Sequence, residues 1–219
     1  MSSPAAGSIS GLDRFQALWR RCLLPGATDL SAKIHQRLID GYGEPQRHYH
    51  TLAHIEHCLG MFEQCRSLLA NPDAVELSIW FHDVIYEPGA ADNEARSAEL
   101  YQQLAAGVQA DSLRQIVDDL IMATLHDGGP IEDRDTAFMV DIDLSSFGLP
   151  WEQFLRDSKN LRLENSSVSD EEFYRRANSF QTHLLARERF YYSDFFYRRL
   201  ENQARQNLSD YADYLRKQA

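Results

Sequence analysis

Cysteine is scarce in this 219-residue chain: Cys22, Cys58 and Cys65 make an odd set with no CxxC spacing. A disulfide framework and a thiolate zinc site are thereby set aside, and a reducing environment is expected. Long apolar runs are also missing, and Met1-Ser-Ser-Pro-Ala-Ala-Gly7 has neither the basic start nor the apolar core of a secretory signal. The expectation is a cytoplasmic protein with no membrane partner. Positive charge is in deficit, with 22 Lys and Arg against 33 Asp and Glu and a net charge of −11. That balance opposes the attraction to phosphate backbones on which nucleic-acid binders rely, so polymeric DNA or RNA is not expected as a partner. A small phosphorylated substrate remains open, because a bound metal can supply positive charge locally.

No alternating strand pattern, repeat period or linker is visible, and 43% of the residues are hydrophobic, enough for a full core. One all-α domain over residues 1–219 is the reading, with 1–10 as a flexible tail. Leu12, Phe15, Leu18, Trp19 and Cys22 recur at helical spacing before Pro25-Gly26. Leu30, Ile34 and Leu38 mark a second helix, and a third is expected from a Thr51 cap to about Leu69. Asn71-Pro72 opens a fourth, which runs into His82-Asp83. Further helices are expected from Asn93 to about Ala106, from Leu113 to near His126 before Gly128-Gly129-Pro130, and over 133–146, with a short one at Pro150-Trp151. Ser169-Asp-Glu-Glu172 is a capping-box pattern, and a last long helix starts near Ser193.

Trp80-Phe81-His82-Asp83-Val84 sets a histidine and an acid inside an apolar segment. Such a pair is costly to bury without a partner, and a divalent cation satisfies both, since imidazole and carboxylate are common metal donors. Alone, the dipeptide reads more simply as a solvated helix end. Other candidate ligands lie in Tyr49-His50-Thr51-Leu52-Ala53-His54, at His126, and in Asp141-Ile142-Asp143-Leu144-Ser145. If the third helix reaches back to His50, His50 and His54 share a face roughly 5–6 Å apart, one for a metal and the other for a substrate beside it. His54-Ile-Glu-His57 is not HExxH, and neither a GxSxG elbow nor a Walker A loop occurs.

The order His, His-Asp, Asp resembles that of the HD superfamily of metal-dependent phosphohydrolases. The signature YHN-x-x-H of the cyclic-nucleotide phosphodiesterases is similar to Tyr49–His54, and their ADLS signature to Ile142-Asp143-Leu144-Ser145. Small bacterial HD proteins, known mostly as predicted phosphohydrolases, are matched through Trp80–Tyr86, Asp92-Asn-Glu-Ala-Arg-Ser97, Glu201 and Ala204–Leu208. The resemblance implies an HD-type helical bundle with additional C-terminal helices. It makes His54, His82, Asp83 and Asp143 the ligands of a divalent ion, with Asp141 a rival for the last place, and His50 the proton donor to the leaving group. Thr51 replaces the Asn of the phosphodiesterase signature, so cyclic nucleotides do not follow.

Around this set, Glu94 is a candidate for orienting the attacking water, and equally a solvated acid in a first helical turn. His126 is a second-metal ligand, a phosphate-contacting acid, or a histidine favoured by a helix C-terminus. Arg47, Arg96 and Arg205 are candidate phosphate partners. Mixed nitrogen and oxygen donors admit Mn, Fe, Co, Ni, Zn or Mg. The expected activity is hydrolysis of a nucleotide or other small phosphate ester. The alternatives are a di-iron oxygenase of the HD fold and a non-catalytic binder of a phosphorylated small molecule.

Overall fold

The computed structural model describes residues 11–126, 129 and 131–218. The tail expected over 1–10, and Gly128 and Pro130 of the expected helix stop, lie outside the described residues. Among these, ten α-helices and no strand occur: α1 (Gly11–Arg21), α2 (Ser31–Tyr42), α3 (Leu52–Cys65), α4 (Pro72–Phe81), α5 (Asn93–Ala105), α6 (Asp111–Met122), α7 (Arg134–Asp143), α8 (Trp151–Glu164), α9 (Asp170–Ala186) and α10 (Asp194–Gln218). The chain is all-α. No described helix is long and apolar enough to cross a membrane.

Short 3₁₀ segments account for the differences at the ends of α3 and α7. Arg66–Leu68 continues α3, so α3 stops before Leu69, and Leu144–Gly148 continues α7, which stops at Asp143 rather than 146. A 3₁₀ turn tightens the last carbonyls of a helix without extending its α-register.

α4 is the helix the others surround. Ala74 to Phe81 are all buried, and it packs against α1, α3, α5, α6 and α7. A helix that is apolar all round belongs in the interior. Its one buried acid, Glu76, receives Arg14 Nε at 2.7 Å and Arg21 Nη2 at 3.2 Å. The expected Asn71 cap takes another form. The Asn71 side chain makes no capping bond, and the Asp135 carboxylate instead accepts the backbone N–H groups of Ala70 at 2.8 Å and Asn71 at 2.6 Å. The Ser169 hydroxyl does cap α9, accepting from Glu172 N, while the Glu172 carboxylate turns to Arg175 and Arg176.

α10 closes over the 3₁₀ turn that follows α7. Asn207 Nδ2 donates to Phe147 O at 2.8 Å and Leu149 O at 2.7 Å, and Glu201 accepts the N–H groups of Phe190 and Tyr191. Gly148 is needed at this crossing, since a Cβ there would stand 2.6 Å from Leu200 Cβ. Gly148→Ala is expected to lower stability by about 1–3 kcal/mol through overpacking. Gly60→Ala, in α3 with nothing within 4 Å of its added Cβ, is expected to raise stability by about 0.5–1 kcal/mol. Calorimetric melting of the two variants checks this, and a Gly148→Ala protein that melts with the wild type would show that α10 is not seated as described.

Candidate metal centre

The C-terminus of α4 delivers His82 and Asp83, the first turn of α3 delivers His54, and the last residue of α7 is Asp143. One donor atom from each lies within 4.8 Å of all the others. His54 Nε2 and His82 Nε2 are 3.3 Å apart, and Asp143 Oδ1 is 3.2 Å from the first and 3.5 Å from the second. Asp83 Oδ2 is 3.0 Å from His82 Nε2 and 3.5 Å from His54 Nε2. All four are largely buried.

The electrostatics of this cluster call for a cation. Burial by itself would lower the His82 pKa, yet Asp83 and Asp143 hold it well above the usual histidine value. Burial would raise Asp143, yet hydrogen bonds from His126, His54 and His82 hold it well below the usual carboxylate range. Asp83 is lowered likewise, first by His82 against the effect of burial. Two carboxylates therefore retain positive charge on an adjacent imidazole, and a divalent ion can take that place with release of the proton. The outer contacts suit it. His82 Nδ1 donates to Ile79 O at 3.0 Å, which leaves Nε2 as the ligating nitrogen. The four residues fit a metal ion.

His126 adds to the cluster from the turn after α6. It has a left-handed backbone, φ 53°, an uncommon state for a residue with a Cβ, and it sets Nε2 2.8 Å from Asp143 Oδ2. His50 lies in the bent segment before α3 rather than on the helix, because α3 begins at Leu52. Its ring still comes within 6.0 Å of the His54 ring, centroid to centroid, and stacks on Tyr86 at 4.0 Å.

Glu164, at the end of α8, organises that segment, although nothing in its sequence context marks it. Its Oε1 accepts the N–H groups of His48, Tyr49 and His50 at 3.1, 3.3 and 3.1 Å, and its Oε2 lies 2.6 Å from His50 Nδ1. Burial opposes protonation of His50, but Asp83 and Glu164 together raise its pKa above the usual histidine value.

Arg47, Arg96 and Arg205 do not line the cavity beside the cluster. Arg47 Nη1 donates to Asp83 O at 2.6 Å and His50 O at 3.2 Å, and Nη2 to Val84 O at 2.9 Å, so its buried guanidinium ties two ligand-bearing segments together. Arg96 pairs on the surface with Glu87, and Arg205 with Glu201 and the carbonyls of Leu185, Arg187 and Glu188. Arg47 and Arg205 are thus engaged by the protein itself, and Arg96 gives Nη1 to Glu87. Glu94 does reach the cavity wall, half-buried, its pKa raised by burial and then by Asp83 and Asp143.

Asp141 is held apart from the cluster. It accepts Tyr192 N at 2.8 Å and Ser193 N at 2.7 Å ahead of α10, and burial pushes its pKa up to about 7 against the lowering by those bonds. Asp143 is thus the acid of this stretch that faces His54 and His82. Asp143→Ala and His82→Ala are expected to lose bound divalent metal, whereas Asp141→Ala keeps it and loses about 1–3 kcal/mol of stability for each backbone N–H left unpaired. Elemental analysis and melting of the same preparations check the assignment, and metal lost with Asp141 but kept without Asp143 would reverse it.

Searches for similar proteins among known families, curated proteins and solved structures return no match for this chain.

Proposed function

We propose that the chain is a metal-dependent phosphoric ester hydrolase with an HD-type helical core, acting on a nucleotide or other small phosphate ester. The observation that carries this reading is the pairing of a four-residue His and Asp cluster with a separate histidine, His50, whose Nδ1 is engaged by Glu164 at 2.6 Å. A divalent ion held by His54, His82, Asp83 and Asp143 would acidify a bound water and offset charge on phosphoryl oxygens.

The protein's own groups supply the rest. With Nδ1 bound to Glu164 and its pKa raised, His50 carries a proton that Nε2 can give to the leaving oxygen. The stacked Tyr86 ring and the three N–H bonds to Glu164 fix that nitrogen in place. Glu94, on the same cavity wall, accepts a hydrogen bond from the attacking water and orients it.

His50→Gln is expected to keep the metal content of the wild type and to lose about 10²–10⁴-fold in turnover. Glu164→Gln, which frees His50 from its charged partner, should lower turnover less and shift the alkaline limb of its pH profile downward, because the proton donor is then lost at lower pH. Metal lost from the His50 variant but retained by His54→Ala would exchange the two roles.

The contact of His126 with Asp143 favours a second reading, in which a fifth donor completes a two-iron site for oxidation by oxygen. Assay on small phosphate esters under strict exclusion of oxygen separates the two. Hydrolysis should persist there and be restored to stripped protein by Mg²⁺ or Zn²⁺ as well as by Mn²⁺, and a product formed only with iron and oxygen would establish the oxidative reading.

A further inference from the structure

The cavity that opens on the metal cluster has a mixed lining. His50, Asp83, Glu94, His126 and Asp143 line it at the cluster, and Phe147, Phe154, Leu161, Phe173, Phe180 and Tyr211, from the 3₁₀ turn after α7 and from α8, α9 and α10, give it an apolar wall in which Asp157 and Ser158 also stand. Its volume is about 230 Å³. That is below the roughly 300–1,000 Å³ of sites that enclose drug-sized ligands.

Neither Lys nor Arg is among the lining residues, while Asp83, Glu94, Asp143 and Asp157 are. Arg175 and Arg176 belong to a separate open cleft that shares only His126 and Phe180 with the cavity, and both are paired with Glu172. With Asp83 and Asp143 taken up by the ion, a chain of phosphates running on from the cluster would meet Glu94, Asp157 and an aromatic wall with no side-chain cation to offset its charge. A single phosphoryl group at the ion, joined to an uncharged ring, carries no further charge into that space.

Resting on the hydrolase reading for the head group, we infer that the substrate is a small phosphomonoester of an uncharged, apolar ring-sized alcohol, and that nucleoside polyphosphates are excluded. Ala177, on the α9 wall, is the position where the body is most simply blocked, because a larger side chain there enters the cavity.

The test measures binding by titration calorimetry. On metal-loaded protein, 1-naphthylphosphonate is expected to bind at least about tenfold more tightly than methylphosphonate through the apolar area it buries, and ATP no more tightly than methylphosphonate. On metal-stripped protein, 1-naphthol should still bind. Ala177→Trp should abolish naphthol binding and the naphthyl advantage, with metal content and methylphosphonate affinity kept. Leu161→Trp, from α8, is read in the same way should the first variant fail to fold. Equal affinity for the two phosphonates, tightest binding by ATP or by phosphocholine, or a naphthyl advantage that survives both substitutions would overturn the inference. Naphthol binding that Ala177→Trp removes, together with phosphonate binding indifferent to metal, would instead remove the hydrolase reading and leave the apolar subsite standing.

Discussion

Two carboxylates and two imidazoles share a space under 5 Å across inside a helical protein, and the cost of desolvating them is the constraint around which the surroundings are arranged. Charges this close are tolerated only when opposite ones alternate and outer hydrogen bonds satisfy the remaining atoms. Asp143 receives His54 and His82 on one oxygen and His126 on the other, and His82 is anchored behind by Ile79 O. The left-handed backbone of His126 belongs to the same requirement, since it is the turn that brings that ring to the carboxylate.

Buried carboxylates are also how the chain fixes its connections. Glu164, Asp135, Asp141 and Glu201 each accept two or more backbone N–H groups from a segment that leads into a helix or ends one. Backbone N–H groups in these connecting segments have no helical partner, and a buried carboxyl group supplies acceptors for them. The effect reaches the site because one such acid, Glu164, holds His50, and Arg47 joins the His50 segment to the carbonyls of Asp83 and Val84. Sites held by locked side chains on packed elements keep the geometry that proton transfer needs.

The helices added after Asp143 build the other half of the cavity. α8, α9 and α10 add aromatic side chains to a lining that also holds the cluster's carboxylates and imidazoles. On the proposed reading, the polar groups would orient a head group and the aromatic wall would accept what is attached to it.

Helical class and the polar stretches that meet were legible in the sequence, because both depend on local pattern. Apolar residues at three and four apart mark helices wherever they fall, and His82-Asp83 stands out in an apolar run in any context. The rivalry between Asp141 and Asp143 was not decided locally: two acids in one helical turn look alike until the segment ahead of α10 presents its N–H groups to one and His54 and His82 present imidazoles to the other. The same holds for the arginines. A basic side chain reads as a phosphate partner until packing shows Arg47 and Arg205 spent on carbonyls and Arg96 on Glu87. Glu164 lies 114 residues beyond His50, and no periodicity connects positions so far apart. The sequence alone determined which segments are helical and which polar residues are costly to bury; tertiary packing alone decided which partner each receives, because hydrogen-bond partnership depends on distance in space, which local spacing does not encode across loops.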